Sequence, residues 1–227
     1  PTLVFVHGWS CDSSYWNAQI EAFRQRYTVV TVDLAGHGAS ARNRTDWSMA
    51  HYGADVAAAV QSLPSKQIIL IGHSMGGPVV IEAARLLQDR TVAVIGVDTY
   101  KSIGSPPPPA AQVAAFVDGM EEDFIGYTRG FVTNTFFTKT ADPQLVNRIA
   151  TDMSAAPADV AIASGKAMNS WDYVEPTKDI KVPIIAINPD LGLLTDDARI
   201  SKLWPTFRSV TPTATPHFLM MEEPARF

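Results

Sequence analysis

The sharpest chemical signal in this 227-residue sequence is Gly72-His73-Ser74-Met75-Gly76-Gly77, which follows an apolar run and precedes an alanine-rich apolar stretch. A serine on a tight strand-to-helix turn needs glycine two residues to either side, because bulk there collides with neighbouring backbone. Such a turn lifts the Ser74 hydroxyl above a sheet edge, at the positive end of the following helix. It also aims the Met75 amide at the space where an oxyanion would form. A glycine-rich turn with a helix-capping serine would satisfy the same letters. The strand pattern before the turn and the helix pattern after it favour a nucleophile, so the chemistry suggested is acyl transfer.

Other residues complete that chemistry. His7-Gly8-Trp9 closes the first apolar run, and the Trp9 amide is the expected second oxyanion donor. His217 is the only histidine in the C-terminal half and lies in a loop after the last strand pattern, which makes it the expected general base. A packed or surface histidine is the plain alternative. Two aspartates compete to orient the imidazole. Asp98 ends the fourth apolar run in Gly-Val-Asp-Thr, and Asp190 follows a later one in Ile187-Asn188-Pro189-Asp190-Leu191-Gly192. Each could instead be a loop carboxylate. His7, His37, His51 and His73 are expected to shape loops, as is the stretch 33–40 with its aspartate and glycines. Asp196 and Asp197 read as caps of a helix starting near residue 198. Trp9, Phe136 and Trp171 are expected in an apolar substrate pocket together with Met75, Phe116, Phe124, Phe131, Phe137 and Met168, although such residues also build ordinary cores.

The elements that must position these groups follow from period and punctuation. Runs at 2–6, 27–32, 67–71 and 92–97 are rich in Val and Ile and bounded by Gly, Asp or Pro, as buried strands are. Helix-like spacing at 15–25, 47–63 and 76–88 supplies the crossovers, so the first hundred residues read as repeated βα units on a parallel sheet. From 101 to 180 the strand signal disappears. Four prolines at 106–109 precede helical segments at 110–119, 143–153 and 157–171, and strands resume at 183–187 and 207–210. The organisation expected is an α/β core at 1–100 and 181–227 with a helical insertion at 101–180. Residues 211–217 are expected to form a Thr and Pro loop.

Composition narrows the classes. The chain is 46% apolar and 18% charged, with 23 acidic against 18 basic side chains and a net charge of -5. No basic footprint argues for nucleic acid or an anionic bilayer. No apolar run reaches the ~20 residues a membrane-spanning helix needs. Cys11 is the single cysteine, which excludes an intramolecular disulfide and leaves the compartment open, leaning to the cytoplasm. The chain starts directly in a strand-like run, so any export signal is expected to be gone already. The partner expected is a small-molecule substrate; oligomeric state is unspecified.

Four motifs in order, His7-Gly8-Trp9, residues 33–40, residues 72–77, and Pro216-His217-Phe218 ahead of Glu222-Glu223-Pro224, resemble the α/β-hydrolase fold family, in its cap-bearing esterase and lipase-like branch. The resemblance implies a mostly parallel, doubly wound sheet with a helical cap after the fourth strand. It implies Ser74 as nucleophile, His217 as base and no metal or cofactor. It also implies two further strands before Thr2 and a closing helix after Pro224. Many relatives carry the acid after the next-to-last strand as Gly-x-x-Asp, but glycine stands at that place here and Asp190 comes two residues early. Some branches place it where Asp98 stands, so Asp98 is preferred and Asp190 is the alternative. The implied activity is hydrolysis of a carboxylic ester of a small, largely apolar substrate. Lactone, thioester, amide or C–C cleavage, perhydrolase or haloperoxidase-like activity, and a ligand-binding receptor or signalling role are alternatives. An aspartate in place of Ser74 would have indicated a dehalogenase or epoxide hydrolase.

Overall fold

A computed structural model describes residues 1–212 and 216–227. Six parallel strands form one sheet in the order β2-β1-β3-β4-β5-β6, with β1 at Thr2–Val6, β2 at Thr28–Val32, β3 at Ile68–His73, β4 at Thr91–Val97, β5 at Ile184–Ile187 and β6 at Phe207–Val210. The interior strand β1 is buried along its whole length, as expected where helices cover both faces of a parallel sheet. Chain direction across the sheet reverses at β1: β2 lies to one side and β3 through β6 to the other. The loops after β1 and β3 therefore part company there, and such a point opens a crevice at the carboxyl ends of the strands.

The helix that matters most is α3 of the crossover set. Around it, α1 spans Asn17–Phe23, α2 spans Met49–Gln61 and α3 spans Gly76–Leu87. Every α3 residue from Gly76 to Ala84 is buried; this mostly apolar helix lies in the core. The first helical stretch splits in two, a 3-10 turn at Ser13–Trp16 followed by α1, because the Asp12 side chain accepts from the Ser14 amide and tightens the start. Ser48 caps α2 by accepting from the His51 amide.

Between β4 and β5 run four helices: α4 at Ala110–Glu122, α5 at Phe124–Thr135, α6 at Pro143–Ser154 and α7 at Ala158–Asn169. Three coincide with the expected segments, whereas α5 had no alanine-rich signature. Its two glycines, three threonines and valine are weak helix formers. It forms because Asp123 caps it, accepting from the Gly126 amide, and because Thr128 and Val132 are buried. At the C-terminal end, α8 spans Asp197–Ile200 and α9 spans Leu219–Glu222. Asp196 caps α8 through the Arg199 amide. Asp197 instead accepts from the Ser209 amide and hydroxyl, tying α8 to β6. The expected Thr and Pro loop falls partly at residues 213–215, outside the described residues. No helix among the described residues is long and apolar enough to cross a membrane.

Candidate active site

Ser74 sits between the last residue of β3 and the first of α3, with φ at +51°. Its amide donates to Val97 O at 2.9 Å and its carbonyl accepts from the Gly77 amide at 2.9 Å, so the turn is held from β4 and from the helix. A left-handed backbone at a serine costs energy, and the flanking glycines explain how it is accommodated. A Cβ on Gly72 would overlap the Gly76 carbonyl, and one on Gly76 would stand 2.6 Å from Val6 O and 2.7 Å from His7 O. The amides of Trp9 and Met75 have no protein acceptor among the described residues.

At the end of β4 the chain turns left-handed again, with φ of +43° at Asp98 and +67° at Tyr100. This turn is tied down by its neighbours. The Asp98 amide donates to Ile187 O at 3.0 Å, and the fully buried Asn188 accepts from the Thr99 amide and donates to the Thr99 carbonyl. The Tyr100 hydroxyl donates to Gly77 O at 2.9 Å, which links the Asp98 turn to the serine turn. The Asp98 carboxylate then has two partners. Its Oδ2 lies 2.6 Å from His217 Nδ1, and its Oδ1 lies 2.6 Å from Lys101 Nζ. Burial pushes the carboxyl up, but the hydrogen bond and charge of His217 and the cation of Lys101 outweigh it and hold Asp98 at about 2.

His217 is fixed on several sides. Its amide donates to Phe136 O, its carbonyl accepts from His73 Nε2 at 3.0 Å, and its ring stacks on Phe136 with centroids 4.0 Å apart. An ionised carboxylate only accepts, so the contact selects the tautomer with the proton on Nδ1, which in a neutral ring leaves the lone pair on Nε2. No hydrogen bond among the described residues joins Ser74 Oγ to His217. The carboxylate that His217 meets is that of Asp98; Asp190 lies in the loop after β5, two residues beyond Asn188.

The remaining histidines are structural in their contacts. His7 Nε2 accepts from the Leu34 amide, and its Nδ1 donates to Gly8 O. Burial, and secondarily His37, lowers it to about 4. Burial, and secondarily His217, lowers His73 to about 3. His37 meets Ala35 O, and the exposed His51 pairs with Asp46. Asp33 organises residues 33–40 by accepting from the Ser13 and Ala39 amides, while the Ser40 hydroxyl donates to Asp33 O.

Two cavities share Ser74. One of about 300 Å³ is apolar, lined by Trp9, Phe116, Phe131, Phe136 and Met168. The other, of about 560 Å³, is bordered by Asp98, Lys101, Ser102 and Trp171. Trp9 is held over the first by its indole N–H donating to Ala161 O of α7 at 2.7 Å. Trp171 donates to the buried Glu82 carboxylate of α3. Thus Trp9 and Phe136 line one of the two cavities that include Ser74, and Trp171 lines the other. Lys101 and Asn188 went unnoticed in the sequence; the one signal for Lys101 was its place three residues after Asp98. No group of three or more His, Cys, Asp or Glu side chains that could hold a metal ion occurs among the described residues.

Comparison with known proteins agrees with the architecture. A non-heme haloperoxidase of Rhodococcus erythropolis is 29% identical over 206 residues, covering 83% of this chain and 73% of its own. A bifunctional esterase/perhydrolase of Acinetobacter calcoaceticus is 27% identical over 210 residues, covering 83% and 73%. Among solved structures, a hydrolase from Oleispira antarctica superposes with a TM-score of 0.87 at 19% identity, covering 99% of this chain and 86% of that one. The sequence model of the alpha/beta hydrolase family matches residues 3–227. A parallel sheet that turns sharply at Ser74, and a family match running nearly end to end, lead to one conclusion: the chain belongs to the alpha/beta hydrolase family.

Proposed function

We propose that this chain is a serine hydrolase that cleaves the carboxylic ester of a small, largely apolar substrate through an acyl-enzyme. The observation that carries the reading is the 2.6 Å contact between His217 Nδ1 and Asp98 Oδ2 next to the strained serine turn. It favours the tautomer protonated at Nδ1, in which the lone pair of a neutral ring sits on Nε2 as a general base needs. Ser74 Oγ attacks the ester carbonyl carbon while His217 Nε2 takes its proton. The oxyanion is held by the Trp9 and Met75 amides. His217 then protonates the departing alcohol, and the C–O bond breaks to leave acyl-Ser74. Water attacks the acyl carbon with His217 again as base, releasing the acid and restoring the serine. The Ser74–His217 hydrogen bond forms with substrate in place, since such bonds often tighten only in the complex.

In this reading, helices α4 to α7 act as a cap on a core formed by 1–100 and 181–227. The indole bond from Trp9 to α7 and the stacking of Phe136 on His217 support that role. The apolar cavity behind Trp9 and Phe136 takes the acyl group. A perhydrolase reading, in which peroxide replaces water at the acyl-enzyme, is favoured by the name of the Acinetobacter calcoaceticus relative, a bifunctional esterase/perhydrolase. The test is labelling with a fluorophosphonate and peptide mapping, followed by turnover of p-nitrophenyl esters of increasing acyl length, with and without peroxide. Label on Ser74 and steady turnover are expected. Ser74→Ala and His217→Ala should each remove several orders of magnitude, and the double variant should lose little more than either alone. Unaltered turnover in Ser74→Ala would refute the proposal.

A further inference from the structure

Both oxygens of the Asp98 carboxylate are engaged, Oδ2 by His217 and Oδ1 by Lys101, each at 2.6 Å. The side chains of Lys101 and Asp98 are only 13% and 11% exposed, so this ion pair is weakly screened. Taking an ammonium out of water is costly, and lysines commonly snorkel to solvent instead. Here the lysine is led inward by a turn fixed at its backbone. Arg199 donates to Lys101 O at 2.6 Å and to Ile103 O at 3.0 Å, while Asn188 grips Thr99. The ammonium ends beside the cavity that Ser74 and Asp98 border.

We propose that Lys101 is a positioning residue acting through Asp98: its ammonium fixes the carboxylate rotation that turns Oδ2 to His217 and lowers the proton affinity of the Asp98–His217 pair. The inference rests on the serine-hydrolase reading above. Its physical basis is direct. A fixed cation two hydrogen bonds from the imidazole opposes a second positive charge there, whichever member of the pair takes the proton. Other titratable or charged groups facing the pair are His73 from β3, held neutral by burial, and Arg199 from α8, which meets the same turn through its carbonyls. Phe136, just after α5, covers the ring without charge.

The test compares kcat/KM against pH for a p-nitrophenyl ester in the wild type, Lys101→Met, Lys101→Gln, Lys101→Arg and Ser74→Ala. Loss of the cation in the Met and Gln variants should move the acidic limb up by about one pH unit, a loss of about tenfold on that limb. Lys101→Arg should keep the limb within about 0.3 of a unit, because the charge is retained. A merely structural lysine would lower the whole profile without moving the limb. If Lys101→Met does not fold, Lys101→Gln, which keeps a donor for Oδ1, decides the matter. NMR titration of the His217 ring in the same variants reads the effect without turnover. Unmoved limbs and titrations in the neutral variants, with Ser74→Ala inert, overturn the role of Lys101 alone. Full activity in Ser74→Ala overturns the serine reading, while the NMR titration still judges Lys101.

Discussion

Replacing Asp98 by asparagine should cost far more than the loss of one charge, because Lys101 dictates how the amide must turn. The ammonium at 2.6 Å from Oδ1 can only donate, so the asparagine carbonyl has to face it. That leaves the amide NH₂ pointing at His217 Nδ1, which must then accept, and the ring proton moves to Nε2. The imidazole would present a donor to Ser74 where the reaction needs a base. Reversing the amide would put two donors face to face in a buried site, at about 3 kcal/mol. Loss of the ionic hydrogen bond that steadies the imidazolium adds about 2 kcal/mol. Together these amount to about 5 kcal/mol of transition-state stabilisation, or between three and four powers of ten in kcat/KM. Steady-state hydrolysis of a p-nitrophenyl ester measures it, with Asp190→Asn as the control expected to stay near wild type. Adding Lys101→Met to Asp98→Asn frees the amide to flip and should recover part of the loss. Asp98→Asn retaining more than about a tenth of wild-type activity, or Asp190→Asn proving as damaging, would refute the reasoning.

Two further outcomes concern the scaffold. Gly76→Ala places a methyl 2.6 Å from Val6 O and 2.7 Å from His7 O, both backbone atoms that cannot turn aside. It should destabilise the fold by at least about 2 kcal/mol in urea titration and reduce fluorophosphonate labelling of whatever stays folded; a stable, fully labelled variant would contradict the packing described. The second is acid sensitivity. Burial keeps His7 at about 4 and His73 at about 3, below the ordinary 6.5, so between those values the unfolded chain binds more protons and stability falls as pH drops. Glu222, raised by burial to about 7, works in the opposite sense, because the folded chain holds its proton between about 4.5 and 7. It is one half-buried group against two buried ones. Unfolding free energy should therefore decline by several kcal/mol, as an order of magnitude, between pH 6.5 and 4. Urea midpoints that stay flat across that range would show that the two imidazoles are not held neutral by the fold.

Much of this was legible in the chain itself. Local spacing determined the strands, since runs such as Ile68 to Ile71 have one stable environment, the middle of a covered parallel sheet. It also determined the serine turn, because Gly72 and Gly76 answer a steric demand made within a few residues. Helix α5 was not legible: its glycines and threonines carry little helical preference, and its Asp123 cap and burial of Val132 come from context. The carboxylate facing His217 was left open by local spacing, and only the family resemblance favoured Asp98 over Asp190. Asp98 and Asp190 both follow strands, β4 and β5, that are neighbours in the sheet, and no spacing along the chain measures a distance of 119 residues folded back on itself.

Sequence by itself therefore determined which groups stand at strand ends, because turn sterics and burial act over short stretches of chain. Only tertiary structure decided which of them meet. The Asp98 turn is aimed by Asn188, Tyr100 and Arg199, residues up to about a hundred positions away, and His217 is seated by Phe136 and His73. Lys101 became visible for the same reason: an ammonium and a carboxylate three residues apart are ordinary on a surface, and gain consequence only when packing withdraws both from water.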